Sequence, residues 1–265
     1  MSLVGLMLAI VSVAQGDAVR IAHPHESGLS AVEIEWQGRS VPFVRDGEGW
    51  ITLLGVDLDV GAGTYPATVR FRYEDGRVEG RDEIIEVTSK EFPTTRLRVE
   101  PAYVELSPED LARSNRESAR LGGIFARISG EMLWSGPFEA PIPGAEGSNF
   151  GHRRVFNDQP RNPHSGADIA ASEGTPIRSA NRGRVVETGD YFFNGNTVVV
   201  DHGLGIYAIY LHLSRIDVEI GQMVEKGEVL GLVGATGRVT GPHLHWGFRV
   251  QNARVDPFSV IRISN

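Results

Sequence analysis

Residues 196–213 read N-T-V-V-V-D-H-G-L-G-I-Y-A-I-Y-L-H-L. Two β-branched and aromatic runs, Asn196 to Asp201 and Ile206 to Leu211, flank the turn His202-Gly203-Leu204-Gly205. Runs of this length separated by a glycine-bearing turn predict an antiparallel hairpin buried on both faces. Downstream, Ile220 to Val233 repeats strand, glycine turn and strand. Glycine, 32 of 265 residues, is well above its usual share of about 7% and favours a turn-rich β protein over a helical bundle. The chain has room for two ordinary domains.

Upstream, Val32-Glu33-Ile34-Glu35-Trp36 and Thr68-Val69-Arg70-Phe71-Arg72-Tyr73 alternate apolar and polar side chains, as half-buried strands do. Val41 to Val44 and Ile84 to Val87 read as further strands, and Glu74-Asp75-Gly76-Arg77 as a tight turn. This spacing predicts a small sandwich over 17–104. Ser107-Pro108-Glu109-Asp110 opens a helix with a capping serine, a first-turn proline and acids at the positive end of the dipole. Gly122-Gly123 is expected to weaken or bend that helix. Trp134 to Phe138, then Pro141-Ile142-Pro143-Gly144, reads as a linker. The expected layout is therefore a β-sandwich accessory domain at 17–104, a helical linker at 105–144 and a second β domain at 145–265. Residues 1–16 are either a signal-like segment or a first strand. Leu3 to Ala14 is too short to span a bilayer and has no basic residue before it. Ser12-Val13-Ala14 resembles a cleavage site, whereas Gln15-Gly16-Asp17 would end a strand.

The net charge of −8 argues against non-specific nucleic-acid binding. It resides wholly in residues 1–144, since residues 145–265 are neutral. No cysteine is present, so disulfides, thiolate nucleophiles and cysteine-bound metals are excluded. Any metal must be held by His, Asp or Glu.

Candidates for that chemistry cluster in the second half. His164 and Asp168 stand in H-S-G-A-D, where Pro163 and Gly166 disfavour a helix and predict a loop entering a strand at Asp168. In His243-Leu244-His245-Trp246, a strand would project both imidazoles from one face and send Leu244 and Trp246 into the core. His212 lies near the end of the second hairpin strand. Two imidazoles and a carboxylate make a donor set suited to Zn²⁺ with one open position for water. The remaining two histidines could then handle protons or oxyanion charge. Spacing alone leaves open which of His243 and His245 would bind metal.

Over about residues 145–260 the chain resembles the lysostaphin and LytM-type zinc endopeptidases of peptidoglycan, peptidase family M23. The resemblance rests on S-N-F-G-H-R at 148–153, H-S-G-A-D-I-A-A followed by Gly174-Thr175-Pro176-Ile177, Y-L-H-L at 210–213, V-G-A-T-G at 233–237 and G-P-H-L-H-W at 241–246. It implies an antiparallel β barrel-sandwich, with His164, Asp168 and His245 as zinc ligands and His212 and His243 as catalytic histidines. It implies hydrolysis of peptide cross-links in peptidoglycan, in the cell envelope, periplasmic or secreted, without stable membrane insertion. The alternative is a non-catalytic envelope regulator of the same fold that binds a cell-wall hydrolase or peptidoglycan. Such members lose ligands, and none is lost here. Gly221 to Glu228 also resembles a lipoyl or biotinyl carrier hairpin, but Lys226 is not at its tip.

The N-terminal domain is left with three open roles: positioning the catalytic domain, meeting an envelope protein partner, or shielding the groove. His23, His25, His152 and His202 are expected to be surface, rim or turn residues. Tyr191, Phe192 and Phe193 are expected in the core or along a groove. Asn196 and Arg153 are candidate groove residues.

Overall fold

The computed structural model describes residues 10–47, 49–98 and 106–264. The protein is mainly β. Ile10–Ala14 pairs in parallel with Val78–Thr88, which continues antiparallel through Gly63–Tyr73 and Leu29–Trp36 to Arg39–Pro42. A second sheet runs Ala18–Pro24, Gly49–Gly55, Val44–Asp46. The two sheets enclose one core that includes Val13, Ile34, Phe71 and Ile85 from the first and Ile21, Trp50 and Leu54 from the second. Val41 to Val44, expected as one strand, is divided at Phe43 between the two sheets. Residues 10–14 are thus a strand ending at the Gln15-Gly16 turn; Leu3 to Ala9 lie outside the described residues.

The second half is a nine-stranded antiparallel sheet. Its path runs Ala167–Ala170, His243–Val250, Ile206–Ile216, Gly195–Gly203, Gly183–Tyr191, Met223–Val224. Val229–Val233 pairs with both Pro176–Arg178 and the end of Ile206–Ile216, so the sheet folds back on itself. The hairpin forms as its residues require. Leu204 and Gly205 both take positive φ, 52° and 73°, the turn whose twist matches the flanking strands. Val198, Val200, Tyr210, Leu244 and Trp246 are fully buried in its core. Burial of each such side chain contributes about 1.5–3 kcal/mol.

The helix spans Pro108–Phe125, capped by Ser107, whose Oγ accepts from the Asp110 amide. Gly122 and Gly123 do not split it. Its face is pinned by ion pairs, Arg120 to Glu187 at 2.6 Å and Arg113 to Asp190 at 3.0 Å, and by Phe125 against Tyr207. The stretch after it is not a loose tether. Trp134 and Phe138 are buried in the second core, and backbone bonds tie Leu133 to His202 and Glu139 to Ala180.

The sandwich and the large sheet share an interface. Arg254 forms paired bonds to Asp57, and the Gln251 amide group bonds Leu53 O, Leu204 O and the Gly55 amide. Leu53 and Ala18 of the sandwich lie within the second core. A small third sheet joins Thr94–Leu97 in parallel to Arg153–Phe156, which pairs with Gln159–Arg161. Lys226 pairs with Glu139 at 3.2 Å, on the linker stretch.

His23 departs from the surface expectation, and His202, expected as a hydrogen-bonded turn residue, lies at the end of a strand. His23 lies on a strand, against the rings of Phe43 and Phe71 and 3.5 Å from Glu83. His202 is fully buried; its Nδ1 donates 2.9 Å to Arg182 O and its ring packs on Phe138 and Phe248. Burial pushes the His202 imidazole down to about 4. An unfolded His titrates near 6.5, so the unfolded chain binds more protons between those values. Stability contributed by the neutral ring is complete above about pH 6.5 and is lost as pH falls toward 4. The loss is about 3 kcal/mol. His202→Gln should reduce the slope of stability across pH 4–7 in urea denaturation, leaving the share of the other buried histidines, His164 and His212; an unchanged pH slope would remove His202 as a cause.

Candidate metal centre

Three strands and one loop deliver the site. Ala167–Ala170 pairs with His243–Val250 so that Asp168 stands opposite His245. Ile206–Ile216 lies on the other side, with Leu211 opposite His245. Leu244 and Trp246 point into the core, so His243 and His245 share the outer face, as the alternation requires. The loop before Ala167 brings in His164, which is buried.

His164 Nε2, Asp168 Oδ1 and His245 Nδ1 form a triangle with sides of 2.8, 2.9 and 2.9 Å. The protonation pattern shows what this triangle wants. Burial pushes His164 down to about 4, so it is neutral near pH 7 and carries one ring proton. Its Nδ1 lies 3.0 Å from Asn149 O, a group that can only accept. The proton therefore sits on Nδ1, and the Nε2 lone pair faces a carboxylate oxygen. Acceptors converging in this way are stabilised by a positive centre between them. Two imidazoles and a carboxylate fit Zn²⁺, and a backbone carbonyl holding the far imidazole nitrogen is the usual support for such a ligand.

Asn149 ties the group together. Its Nδ2 donates 3.2 Å to Asp168 Oδ2, and its Oδ1 accepts from the Asp168 amide at 2.9 Å. Arg154 donates to the same Oδ2 at 2.8 Å. The expected groove residue on this strand is Arg153. Arg153 is exposed, and its neighbour Arg154 lines the site instead. Asn149 stood inside the S-N-F-G-H-R motif without a role, because its partners are a main-chain amide and a distant carboxylate. Asn149→Ala should weaken metal binding about 10- to 100-fold in calorimetric titration with no loss of fold. Unchanged affinity would show that Arg154 alone orients Asp168.

Gly166 is needed for space. A Cβ there would lie 2.5 Å from Trp246 O and 2.6 Å from His245 Nε2.

His212 and His243 complete the cluster, their rings 5.0 Å apart between centroids. His212 Nδ1 donates to Thr236 O and His243 Nδ1 to Gly241 O, each at 2.9 Å. Both rings thus keep Nε2 as an available base. Burial, then the nearby imidazoles of His245 and His243, pushes His212 down to about 3. His243 Nε2 is 3.7 Å from Asp168 Oδ1, farther than His245 Nδ1. The donor group comprises His164, Asp168 and His245.

The five residues open into a groove of about 470 Å³, walled by Phe156, Phe193 and Arg238 and flanked by Ser114 and Ser118 of the helix. Of the aromatic trio, Phe193 lines it and Tyr191 is buried. Asn196 is structural, its Nδ2 donating to Leu213 O, and His152 sits against Thr95 on the small sheet.

The sequence model described as "Peptidase family M23" matches residues 162–257. Peptidoglycan DD-endopeptidase ShyA of Vibrio cholerae is 46% identical over 110 residues, which are 41% of this chain and 26% of that protein. DD-carboxypeptidase/endopeptidase Mpg of Neisseria meningitidis is 43% identical over 97 residues, 37% of this chain and 22% of that protein. The chain thus spans about a quarter of the length of these relatives. A crystal structure assigned to peptidase M23 from Pseudomonas aeruginosa superposes with a TM-score of 0.72 at 36% identity, covering 92% of this chain and 93% of that one. On that near-complete match, with the whole donor triangle inside the matched residues 162–257, the chain belongs to peptidase family M23.

Proposed function

We propose that the protein is a zinc metalloendopeptidase that hydrolyses peptide cross-links of bacterial peptidoglycan in the cell envelope. The observation that carries this reading is the donor triangle with two further imidazoles turned toward it. The names of the relatives supply the substrate class. His164, Asp168 and His245 would hold the metal. Bound there, zinc supplies Lewis-acid polarisation of a carbonyl and acidifies water to a pKa of about 7.

The chain's own residues do the rest. Asn149 and Arg154 hold the Asp168 carboxylate so that Oδ1 faces the triangle. The Thr236 and Gly241 carbonyls fix the tautomers of His212 and His243, so each Nε2 can take a proton as water attacks and return it to the leaving amine. As imidazolium, either ring would also stabilise negative charge on the scissile carbonyl oxygen. The groove walls exclude bulk water and orient an extended peptide. No helix among the described residues is long and apolar enough to cross a membrane.

The test is digestion of purified peptidoglycan with and without a chelator, with the released fragments identified by mass spectrometry. Zinc-dependent release of cleaved cross-links is expected, at about one zinc per chain. Intact walls after incubation with zinc-loaded protein would instead favour the non-catalytic regulator.

A further inference from the structure

The helix Pro108–Phe125 buries two of its residues, Phe125 and Ser114. Phe125 packs on Tyr207 of the large sheet, as an apolar residue should. Ser114, 9% exposed, lies nearer the other end of the helix, where it lines the groove together with the exposed Ser118. Packing does not account for these two hydroxyls. Alanine is the better helix former, and a serine inside a helix ordinarily returns its hydroxyl to the carbonyl one turn back. Among the described residues, neither Ser114 Oγ nor Ser118 Oγ makes a hydrogen bond. A donor held this far from solvent without a partner is costly, and a ligand carbonyl would satisfy it.

The helix is fixed where it stands. Arg113 and Arg120 pair with Asp190 and Glu187 on Gly183–Tyr191, and Glu117 Oε2 accepts from the Phe192 amide at 2.9 Å. Residues 113, 117 and 120 share one stripe at helical spacing, so 114 and 118 form the stripe beside it. That second stripe borders the groove that His212, His243 and His245 also line. Four residues of helix rise about 6 Å. Two residues of an extended chain span about 6.6 Å, and the carbonyls of alternate residues leave such a chain on the same side. The spacing of the two hydroxyls therefore matches alternate carbonyls of an extended peptide.

We infer that Ser114 and Ser118 form a main-chain binding subsite of the groove, their hydroxyls donating to the carbonyls of alternate residues of an extended stem peptide. The helix before the large sheet is thus a substrate-binding wall as well as a connection between the two halves of the chain. It reads backbone and not side chains, so it demands an extended chain of at least three residues and tolerates their identity. This rests on the peptidoglycan reading for the substrate class, but its test does not depend on turnover.

Binding is measured by calorimetry with a synthetic, uncross-linked stem pentapeptide and with a set in which each peptide bond in turn is replaced by an (E)-alkene, which removes one carbonyl. Ser114→Ala and Ser118→Ala should each weaken binding of the pentapeptide about 2- to 10-fold, and Ser118→Thr, which keeps the hydroxyl, should not. Two alkene positions, separated by one residue, should weaken wild-type binding by a similar factor. At one of them the loss should vanish in Ser114→Ala, and at the other in Ser118→Ala. A merely structural role for the serines would weaken all the peptides alike. In hydrolysis of cross-linked dimers the loss should fall in KM rather than kcat. Circular dichroism and zinc content of the variants check that the fold is kept. No affinity of the wild type for the pentapeptide, unchanged affinity in the double alanine variant, or a loss that is uncoupled from every alkene position overturns the inference. Coupling in binding with no dimer cleaved by the zinc-loaded wild type would sink the hydrolase reading and leave the subsite standing. Cleavage of dimers without coupling would do the reverse.

Discussion

His245→Ala is expected to abolish turnover and to weaken zinc binding by more than 100-fold while the protein stays folded. The magnitude follows from the triangle. His245 Nδ1 lies 2.8 Å from His164 Nε2 and 2.9 Å from Asp168 Oδ1, so its removal opens one whole corner. Loss of a residue that merely orients a ligand costs about 10- to 100-fold in affinity, and loss of the ligand itself must exceed that. The strand should survive, because Leu244 and Trp246 on its opposite face remain buried in the core and the ladders to Ala167–Ala170 and Ile206–Ile216 are main-chain bonds. His243→Ala is the control. Its Nε2 is 3.7 Å from Asp168 Oδ1, and its loss should spare zinc and reduce turnover. Zinc content measured by mass spectrometry, with melting followed by circular dichroism, separates these outcomes. Full zinc stoichiometry in His245→Ala, or zinc loss in His243→Ala, would show that the metal role belongs to the other histidine of the pair.

That choice illustrates where sequence reading ends. Alternation along H-L-H-W places both imidazoles on one face and Leu244 and Trp246 on the other, because a strand has a strict period of two. It says nothing about which imidazole meets a loop arriving from 80 residues away. The hairpin was legible for the same reason: two apolar runs and a turn with a glycine have few other folds open to them. In the sandwich, Leu29–Trp36 and Gly63–Tyr73 show clear alternation. The neighbouring strands Ala18–Pro24 and Gly49–Gly55 do not. Ile51 to Gly55 is buried on both faces, because one face meets the sandwich core and the other the large sheet. A strand lodged between two cores has no polar side to betray its period. The same holds for Trp134 and Phe138, whose proline-rich surroundings read as a linker although tertiary packing buries them. Arg154 was missed for Arg153 by one position, the difference between the two faces of a short strand whose register is set by Thr94–Leu97.

His212→Gly is expected to raise stability while reducing kcat by about 10²- to 10⁴-fold, the usual contribution of a general acid–base group. Its position depends on a backbone irregularity. Val198 pairs with Tyr210 and Asn196 with Leu213, so two steps on one strand oppose three on the other. His212 takes φ +67° at that extra residue. Without it, alternation would send the ring inward with Tyr210. With it, Leu211 and His212 both line the groove, while Tyr210 and Leu213 stay in the core. A bulge of this kind re-aims a side chain at a functional site, and a residue other than glycine pays about 1–3 kcal/mol for the conformation. Glycine adopts it freely. His212→Gly should therefore melt at a higher temperature than His212→Ala, which keeps the strain and loses the ring. Both should retain zinc, since no corner of the triangle is touched. Loss of zinc in either variant would make His212 part of the metal centre. Equal melting temperatures for the two would mean that the strand relaxes when the ring is gone, and that the His212 bond to Thr236 O, not the backbone, holds the bulge in place.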